Sequence, residues 1–215
     1  MSARPGAEPF VRHHRRYDEW FARHEAAYLS ELLAVRALLP WRGRGLEIGV
    51  GTARFAAPLG VEIGIDPAAE MLGYARSRGV RVAAAAAEAL PFAAASFDYA
   101  LIVTTICFVD DAAAMLREAA RVLRPDGALV IGLIDRASPL GQDYVSHQAE
   151  SVFYRAAKFF SAAEVARLLA QSGFGDTTWL QTLSSPIAGM REVEPVAEGT
   201  GRGAFLAVRA RRVRP

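Results

Sequence analysis

Two glycines and an acidic residue within positions 45–66 have the types and spacing needed to bind a nucleoside. A short apolar run, typical of a buried strand, leads into Gly49 and Gly51, where the chain must turn sharply and let a ligand approach bare backbone. A second apolar run then ends at Asp66. In β-loop-α-β units of this kind, an acid at the tip of the second strand accepts hydrogen bonds from the two hydroxyls of a ribose. The stretch therefore predicts a cofactor that contains a nucleoside.

The loop also indicates which cofactor that is. A dinucleotide loop would have a third glycine where this chain has Arg54, and an acid, Glu47, lies in the strand instead. The pattern Glu-x-Gly-x-Gly-x-Ala resembles motif I of the class I S-adenosylmethionine-dependent methyltransferases. In that family the turn receives the methionine part of the cofactor, which carries an ammonium group. The one departure is Ala53, where the family most often has glycine, and alanine is the mildest replacement.

A second motif follows at positions 87–98. The chain reads Ala87-Glu88, then Pro91-Phe92, then Ser-Phe-Asp. This resembles a segment of the type 11 group of small-molecule methyltransferases, in which the acid and a neighbouring amide recognise the adenine edge. The resemblance implies that Glu88 accepts from the adenine amine and that the amide of Ala87 or Glu88 donates to a ring nitrogen. A solvated loop carboxylate is the alternative interpretation of Glu88.

The remaining cofactor contacts are predicted at strand ends and at the start of a helix. Asp66-Pro67 is typical of a helix start, and Met71 then faces inward. Thr104 and Thr105 end the fourth predicted strand, at the sheet edge where ligands bind in open α/β sheets. The predicted cofactor-binding residues are Glu47, Gly49, Gly51, Arg54, Asp66, Pro67, Met71, Ala87, Glu88, Thr104 and Thr105.

Two regions are predicted to surround the acceptor. A helix over 17–40 would form a lid, and Tyr17, Trp20, Phe21 and Phe160 would line the substrate pocket; core packing of the helix is the alternative for the first three. An aromatic and polar insertion at 135–160 borders the ligand edge and is expected on the substrate side. It holds the candidate catalytic residues Tyr144 and His147, which with Asp143 could deprotonate an acceptor. For His147 a surface position is the alternative.

Strands and helices alternate five times, and two further strands follow, which predicts an α/β protein with a three-layer α/β/α sandwich. The resemblance implies a Rossmann-like, seven-stranded, mostly parallel sheet with the last strand antiparallel. It extends over about 17–211 and rests on four motifs in order, the fourth being the Leu-Arg-Pro-Asp-Gly turn at 123–127. The stretches 46–51, 103–111 and 134–144 also resemble a bacterial and archaeal subgroup of these enzymes.

Composition limits the domain organisation and the partners. The 215 residues predict one methyltransferase domain over 17–215, preceded by a disordered basic lead-in over 1–16. A net charge of +2 gives no support for nucleic-acid or membrane binding, and a single cysteine excludes an intrachain disulfide. The chain has no run of 18 apolar residues and no signal-peptide core, so a cytoplasmic location is expected. The sequence has no cluster of histidine, cysteine and acidic residues with the spacing of metal ligands, so no metal site is predicted.

The predicted reaction is SN2 transfer of a methyl group from S-adenosyl-L-methionine to an oxygen, nitrogen or other nucleophile of a small molecule, leaving S-adenosyl-L-homocysteine. Monomer and homodimer are both compatible with the sequence. Two other functions stay open at this point. One is a non-catalytic regulatory protein that binds the same cofactor, and the other is a nicotinamide oxidoreductase, against which Arg54 argues.

Overall fold

The computed structural model describes residues 6–213, which form one eight-stranded sheet with helices on both faces. The strand order is β3-β2-β1-β4-β5-β8-β6-β7. The strands are β1 Gly45–Ile48, β2 Ile63–Asp66, β3 Arg81–Ala84, β4 Phe97–Val103, β5 Leu123–Ile134, β6 Phe174–Thr182, β7 Ala197–Glu198 and β8 Phe205–Arg212. The helices are α1 Glu8–Arg23, α2 Glu25–Leu38, α3 Ala56–Leu59, α4 Ala69–Ser77, α5 Ala112–Val122, α6 Pro139–Ser146 and α7 Ala162–Gln171, with a 3₁₀ helix at Gln148–Glu150.

The predicted three-layer, mostly parallel fold is confirmed. Strands β1 to β5 pair in parallel, and β8 enters between β5 and β6 antiparallel to both. The sheet has eight strands rather than the seven expected, because the two residues of β7 pair with Leu180 and Gln181 at the edge of β6. This edge strand lies at the far side of the sheet from β2 and leaves the order of the other seven unchanged.

The core has two parts, one on each face of the sheet. Successive residues of β4 alternate between them: Ala100 and Ile102 pack with α5 and α7, whereas Tyr99, Leu101 and Val103 pack under the N-terminal helices. A strand that is buried on both faces must be apolar throughout, which explains the unbroken hydrophobic run of this central strand. The core therefore holds the carboxyl ends of β1, β2 and β4 in fixed relative positions.

The predicted disordered lead-in over 1–16 is wrong from residue 8 onward, since α1 begins at Glu8. Residues 1–5 lie outside the described part of the chain. The helix forms because its apolar side makes contacts that the local sequence does not show: the Phe10 ring lies 4.9 Å from that of Phe108 and 5.3 Å from that of Phe153. The basic run remains exposed on the other side, at Arg12, Arg15 and Arg16.

Two other boundaries differ from the sequence predictions. The single helix expected over 17–40 is two helices, α1 and α2, which meet at His24 in a non-helical conformation (φ −121°, ψ 46°). Helix α4 begins at Ala69 rather than at Pro67, because the Asp66 carboxylate accepts a hydrogen bond from the Ala68 amide and holds these residues in a turn. Helix α7 begins with a capping box, in which the side chains of Ser161 and Glu164 each accept a hydrogen bond from the other residue's backbone amide.

Candidate functional site

The glycine loop after β1 is built from alternate residues in the left-handed region. Gly49, Gly51 and Ala53 have φ values of +76°, +50° and +61°. A side chain at Gly49 would also overlap that of Thr105, so only glycine fits there. The spacing Gly-x-Gly-x-Ala thus follows from the backbone path, which turns the chain back over the strand end. Gly49 and Gly51 form part of the wall of a cavity at the carboxyl edge of the sheet.

Asp66 lies at the tip of β2 in the wall of the same cavity. Its two carboxylate oxygens accept hydrogen bonds from the Gly51 amide at 2.9 Å and the Ala68 amide at 2.8 Å. Burial raises the pKa of this carboxyl to about 6, although the two amides partly offset the effect. Each oxygen keeps a lone pair for a further donor, so the arrangement suits the two hydroxyls of a ribose.

Glu47 lies beside the cavity rather than in its wall. The side chain is only 2% exposed, and its Oε2 atom has no hydrogen-bond partner among residues 6–213. Burial raises the pKa of this carboxyl far above its usual range, and the Ala56 amide opposes that rise. An orphaned carboxylate oxygen next to a glycine loop is what an ammonium group would satisfy. The residues present therefore fit a cofactor that carries both a ribose and an ammonium group.

Arg54 does not line the cavity, contrary to the sequence prediction. Its guanidinium pairs with Asp18 of α1 at 2.7 Å, and Arg78 joins the same carboxylate at 2.9 Å. Burial of Asp18 opposes ionisation, but the hydrogen bonds from the two arginines prevail and lower its pKa to about 2. The Tyr28 hydroxyl also donates to the Arg54 carbonyl. This network fastens the N-terminal helices onto the glycine loop.

The opposite wall of the cofactor end comes from the loops after β3 and β4. Ala87 and Glu88 line it, and Glu88 Oε1 accepts from the Asp110 amide at 3.0 Å. In all, nine of the eleven predicted cofactor residues line this one cavity; the exceptions are Glu47 and Arg54. The structure thus brings together motifs that are separated by up to 56 positions in the chain, from Gly49 to Thr105.

Much of the rest of the cavity wall is aromatic. Tyr17, Trp20 and Phe21 line the cavity, with Tyr17 next to Gly51, but Phe160 does not: its backbone pairs with Asp135 and its ring packs against the core. The pocket residues named from the sequence omit others that line this cavity, among them Phe10, Phe108 and Glu31; Phe153 and Tyr154 also line it and fall within the insertion expected on the substrate side.

One signal could have located Glu31. The buried stripe of α2 has helical spacing, and it includes Ala27, Ala34 and Leu38. Glu31 falls in the middle of this stripe, where a charged side chain is rare without a functional or structural reason. Phe10 and Phe108 gave no comparable signal, because an aromatic residue in a globular protein is most often part of the core.

Of the two candidate catalytic residues, the structure places only Tyr144 at the cavity. Burial raises the pKa of its phenol to about 12, so the hydroxyl keeps its proton near neutral pH. His147 ends α6 with 62% of its side chain exposed, and its Nδ1 atom lies 3.0 Å from the Asp143 carbonyl oxygen. His147 therefore has the surface position that was the alternative interpretation, since its ring is held by its own helix and is not in the cavity wall.

No group of three or more histidine, cysteine or acidic side chains in residues 6–213 is arranged to hold a metal ion. Nor does any helix within those residues have the length and apolar character needed to cross a membrane.

Comparison with known proteins identifies the family. Residues 46–131 match the type 11 family described as "Methyltransferase domain". A crystal structure from Thermotoga maritima, described as a SAM-dependent methyltransferase and possible histamine N-methyltransferase, is 48% identical; the match covers 96% of this chain and 99% of that one, with a TM-score of 0.94. An uncharacterized protein of Methanocaldococcus jannaschii is 42% identical over 95% of this chain and 98% of its own length.

A ubiquinone biosynthesis O-methyltransferase of Azorhizobium caulinodans is 29% identical, over 72% of this chain and 68% of its own length. The resemblance to bacterial and archaeal proteins that the motifs indicated is therefore confirmed. With its glycine loop, the acid at the tip of β2 and its sheet order, the chain belongs to the class I S-adenosylmethionine-dependent methyltransferases of the type 11 group, and its cofactor is S-adenosylmethionine.

Proposed function

We propose that this enzyme transfers a methyl group to a nucleophilic atom of a small molecule bound under helices α1 and α2. One observation carries the proposal: the glycine loop and Asp66 share a single continuous cavity with an aromatic pocket that has no part in the nucleoside-binding motifs. A cofactor held at one end and an acceptor at the other would meet inside this cavity, where the covering helices exclude water.

Each cofactor contact is assigned to a residue at a strand end. Asp66 accepts from the ribose hydroxyls, the backbone of Gly49 and Gly51 lies against the methionine part, and Glu88 faces the adenine amine. Glu47, whose Oε2 atom has no partner among residues 6–213, is assigned to the ammonium group. S-adenosylmethionine supplies a methyl group on a positively charged sulfur, which is already a good leaving group. The protein therefore has mainly to align the two reactants, and alignment can lower a barrier by ~7–11 kcal/mol.

The acceptor end is defined by α1, α2 and the segment that contains α6. Tyr144 keeps its proton at neutral pH, so it would donate a hydrogen bond to an acceptor rather than take a proton from it. The names of these two relatives imply different acceptor atoms: nitrogen for the Thermotoga protein and oxygen for the Azorhizobium enzyme. These names support methyl transfer to a small molecule but do not decide between the two atoms.

The cofactor end is tested by titrating the protein with S-adenosylhomocysteine in a thermal-unfolding assay. A ligand that binds only the folded state adds about 2.7 kcal/mol of stability at a hundredfold excess over its Kd. We expect this stabilisation in the wild type and its loss in Asp66→Asn. The matched control is Asp111→Asn, because Asp111 caps α5 on the surface and asparagine caps equally well. An equal shift in both variants would move the cofactor away from Asp66.

A further inference from the structure

Glu31 is a buried acid that none of the cofactor contacts uses. It lies on α2, is 7% exposed and forms part of the cavity wall. Within residues 6–213 its carboxylate has neither a hydrogen bond nor an ion pair. A buried carboxylate without a partner is costly, so such a group is retained where something else supplies the partner.

The position of Glu31 assigns it to the acceptor end. Helix α2 packs on β5, β6 and β8, whereas Asp66 lies on β2, with β1 and β4 between the two groups. A cofactor whose ribose is held by Asp66 therefore lies at the other side of the cavity from this acid. The partner of Glu31 is to be sought in the second reactant.

The groups around Glu31 favour a cation. Its charge contributes to the raised pKa values of Tyr17 on α1, Tyr28 on α2, Tyr144 on α6 and Tyr154 beyond the 3₁₀ helix, all of which are raised first by burial. These phenols stay neutral near pH 7. Other charges reach the same tyrosines from Glu47, Asp66 and the Asp18 network. Glu31 shares the wall of the cavity with Tyr17, Tyr144 and Tyr154. A carboxylate and aromatic rings in one cavity wall suit an organic ammonium ion, which the ring faces and the carboxylate both stabilise.

We propose that the methyl acceptor is a small amine, that its ammonium group is bound by the Glu31 carboxylate, and that this carboxylate takes the proton which the nitrogen must lose before methylation. The proposal rests on the methyltransferase function proposed above. It makes Glu31 the residue that selects a basic nitrogen over a neutral hydroxyl of the same shape.

The proposed step is balanced in atoms and charge. Binding of the ammonium ion displaces to solvent the proton that Glu31 carries in the free protein below about pH 8. The ammonium proton then moves to the Glu31 carboxylate, and the nitrogen lone pair forms the bond to the methyl carbon as the carbon–sulfur bond breaks and its electron pair stays on sulfur. The methylated nitrogen is again cationic, and the proton on Glu31 leaves to solvent. Burial raises the pKa of Glu31 to about 8, which is closer than an ordinary carboxylate to the value of about 10 of an alkylammonium ion.

The test measures binding to the protein loaded with S-adenosylhomocysteine by isothermal titration calorimetry. The probes are two amine–alcohol pairs of equal shape, phenethylamine against 2-phenylethanol and butylamine against butanol. The variant is Glu31→Gln. Its matched control is Glu25→Gln, the same substitution at an exposed position of the same helix. We expect the wild type and Glu25→Gln to bind an amine at least about thirtyfold more tightly than its alcohol, and Glu31→Gln to lose that preference.

Each other outcome overturns the proposal. These outcomes are equal binding of amine and alcohol to the wild type, binding of neither, and unchanged amine binding by Glu31→Gln. The first two are read from the wild type alone, so they stand even if the variant does not fold. The cofactor titration is done first, and failure of S-adenosylhomocysteine to bind the wild type would instead refute the proposed function. With labelled methyl donor, Glu31→Gln should raise KM for the amine and also lower kcat, because the substitution removes both the partner of the ammonium group and the acceptor of its proton.

Discussion

Replacing Glu31 by glutamine is expected to change how the free energy of unfolding depends on pH. The pKa of this carboxyl rises from 4.5 to about 8 in the folded protein because burial disfavours the charged form. Between these values the folded state holds a proton that the unfolded state has lost. The contribution of Glu31 to stability is therefore greatest below about pH 4.5 and falls as pH rises toward 8, and glutamine makes no such pH-dependent contribution.

The size of the effect follows from the shift. Each pKa unit corresponds to 1.36 kcal/mol, so a shift of about 3.5 units amounts to roughly 5 kcal/mol across the window, with a slope of about 1.4 kcal/mol per pH unit. The buried amide of Glu31→Gln has its own cost, but that cost is constant with pH. The difference in unfolding free energy between variant and wild type should therefore grow in favour of the variant from pH 5 to pH 8.

The assay is urea unfolding of the protein without ligand at pH 5, 6, 7 and 8. Glu25→Gln serves as the control, because its carboxylate is exposed and its removal should leave the curve parallel to that of the wild type. Parallel curves for Glu31→Gln and the wild type would refute the reasoning, since they would mean that Glu31 titrates alike in the folded and unfolded chain. The same variant is expected to lose amine binding, so the carboxylate would destabilise the free protein while serving its ligand.

Three further outcomes are expected. The affinity for S-adenosylhomocysteine, measured by calorimetry, should fall up to about tenfold per pH unit below pH 6. The reason is that ribose hydroxyls donate to the ionised form of Asp66, whose pKa is about 6. An affinity that does not change with pH would contradict this. In urea unfolding, Gly49→Ala should lower the free energy of unfolding by more than about 1–2 kcal/mol, because alanine is strained at this positive φ and its side chain would overlap Thr105. Gly73→Ala in α4 should instead raise the free energy of unfolding by about 0.5–1 kcal/mol, because the added methyl group meets no other atom and alanine favours a helix. Asp18→Ala leaves two arginines unpaired and should speed amide hydrogen exchange throughout α1; unchanged exchange would show that the helix is held by its aromatic contacts alone.

The sequence determined the parts of the site that depend on contiguous residues. The glycine loop could be predicted because a left-handed backbone at Gly49 and Gly51 needs particular residues at fixed spacing, and Asp66 because it ends a buried strand. The alternation of apolar runs determined the α/β class for a similar reason. Hydrophobic periodicity is a local property, and helices and strands must bury their apolar faces wherever they lie.

The tertiary structure alone decided which side chains face the cavity. Arg54 lies within the predicted motif, yet its guanidinium pairs with Asp18, 36 positions earlier, and not with a ligand. Helix α1 begins at Glu8 because Phe10 meets Phe108 and Phe153, which no local pattern indicates. The position of Glu31 in an apolar stripe was visible in the sequence, but its place opposite Asp66 depends on where α2 docks on the sheet. Contacts between distant segments are determined by packing of the whole chain, and short patterns carry no information about them.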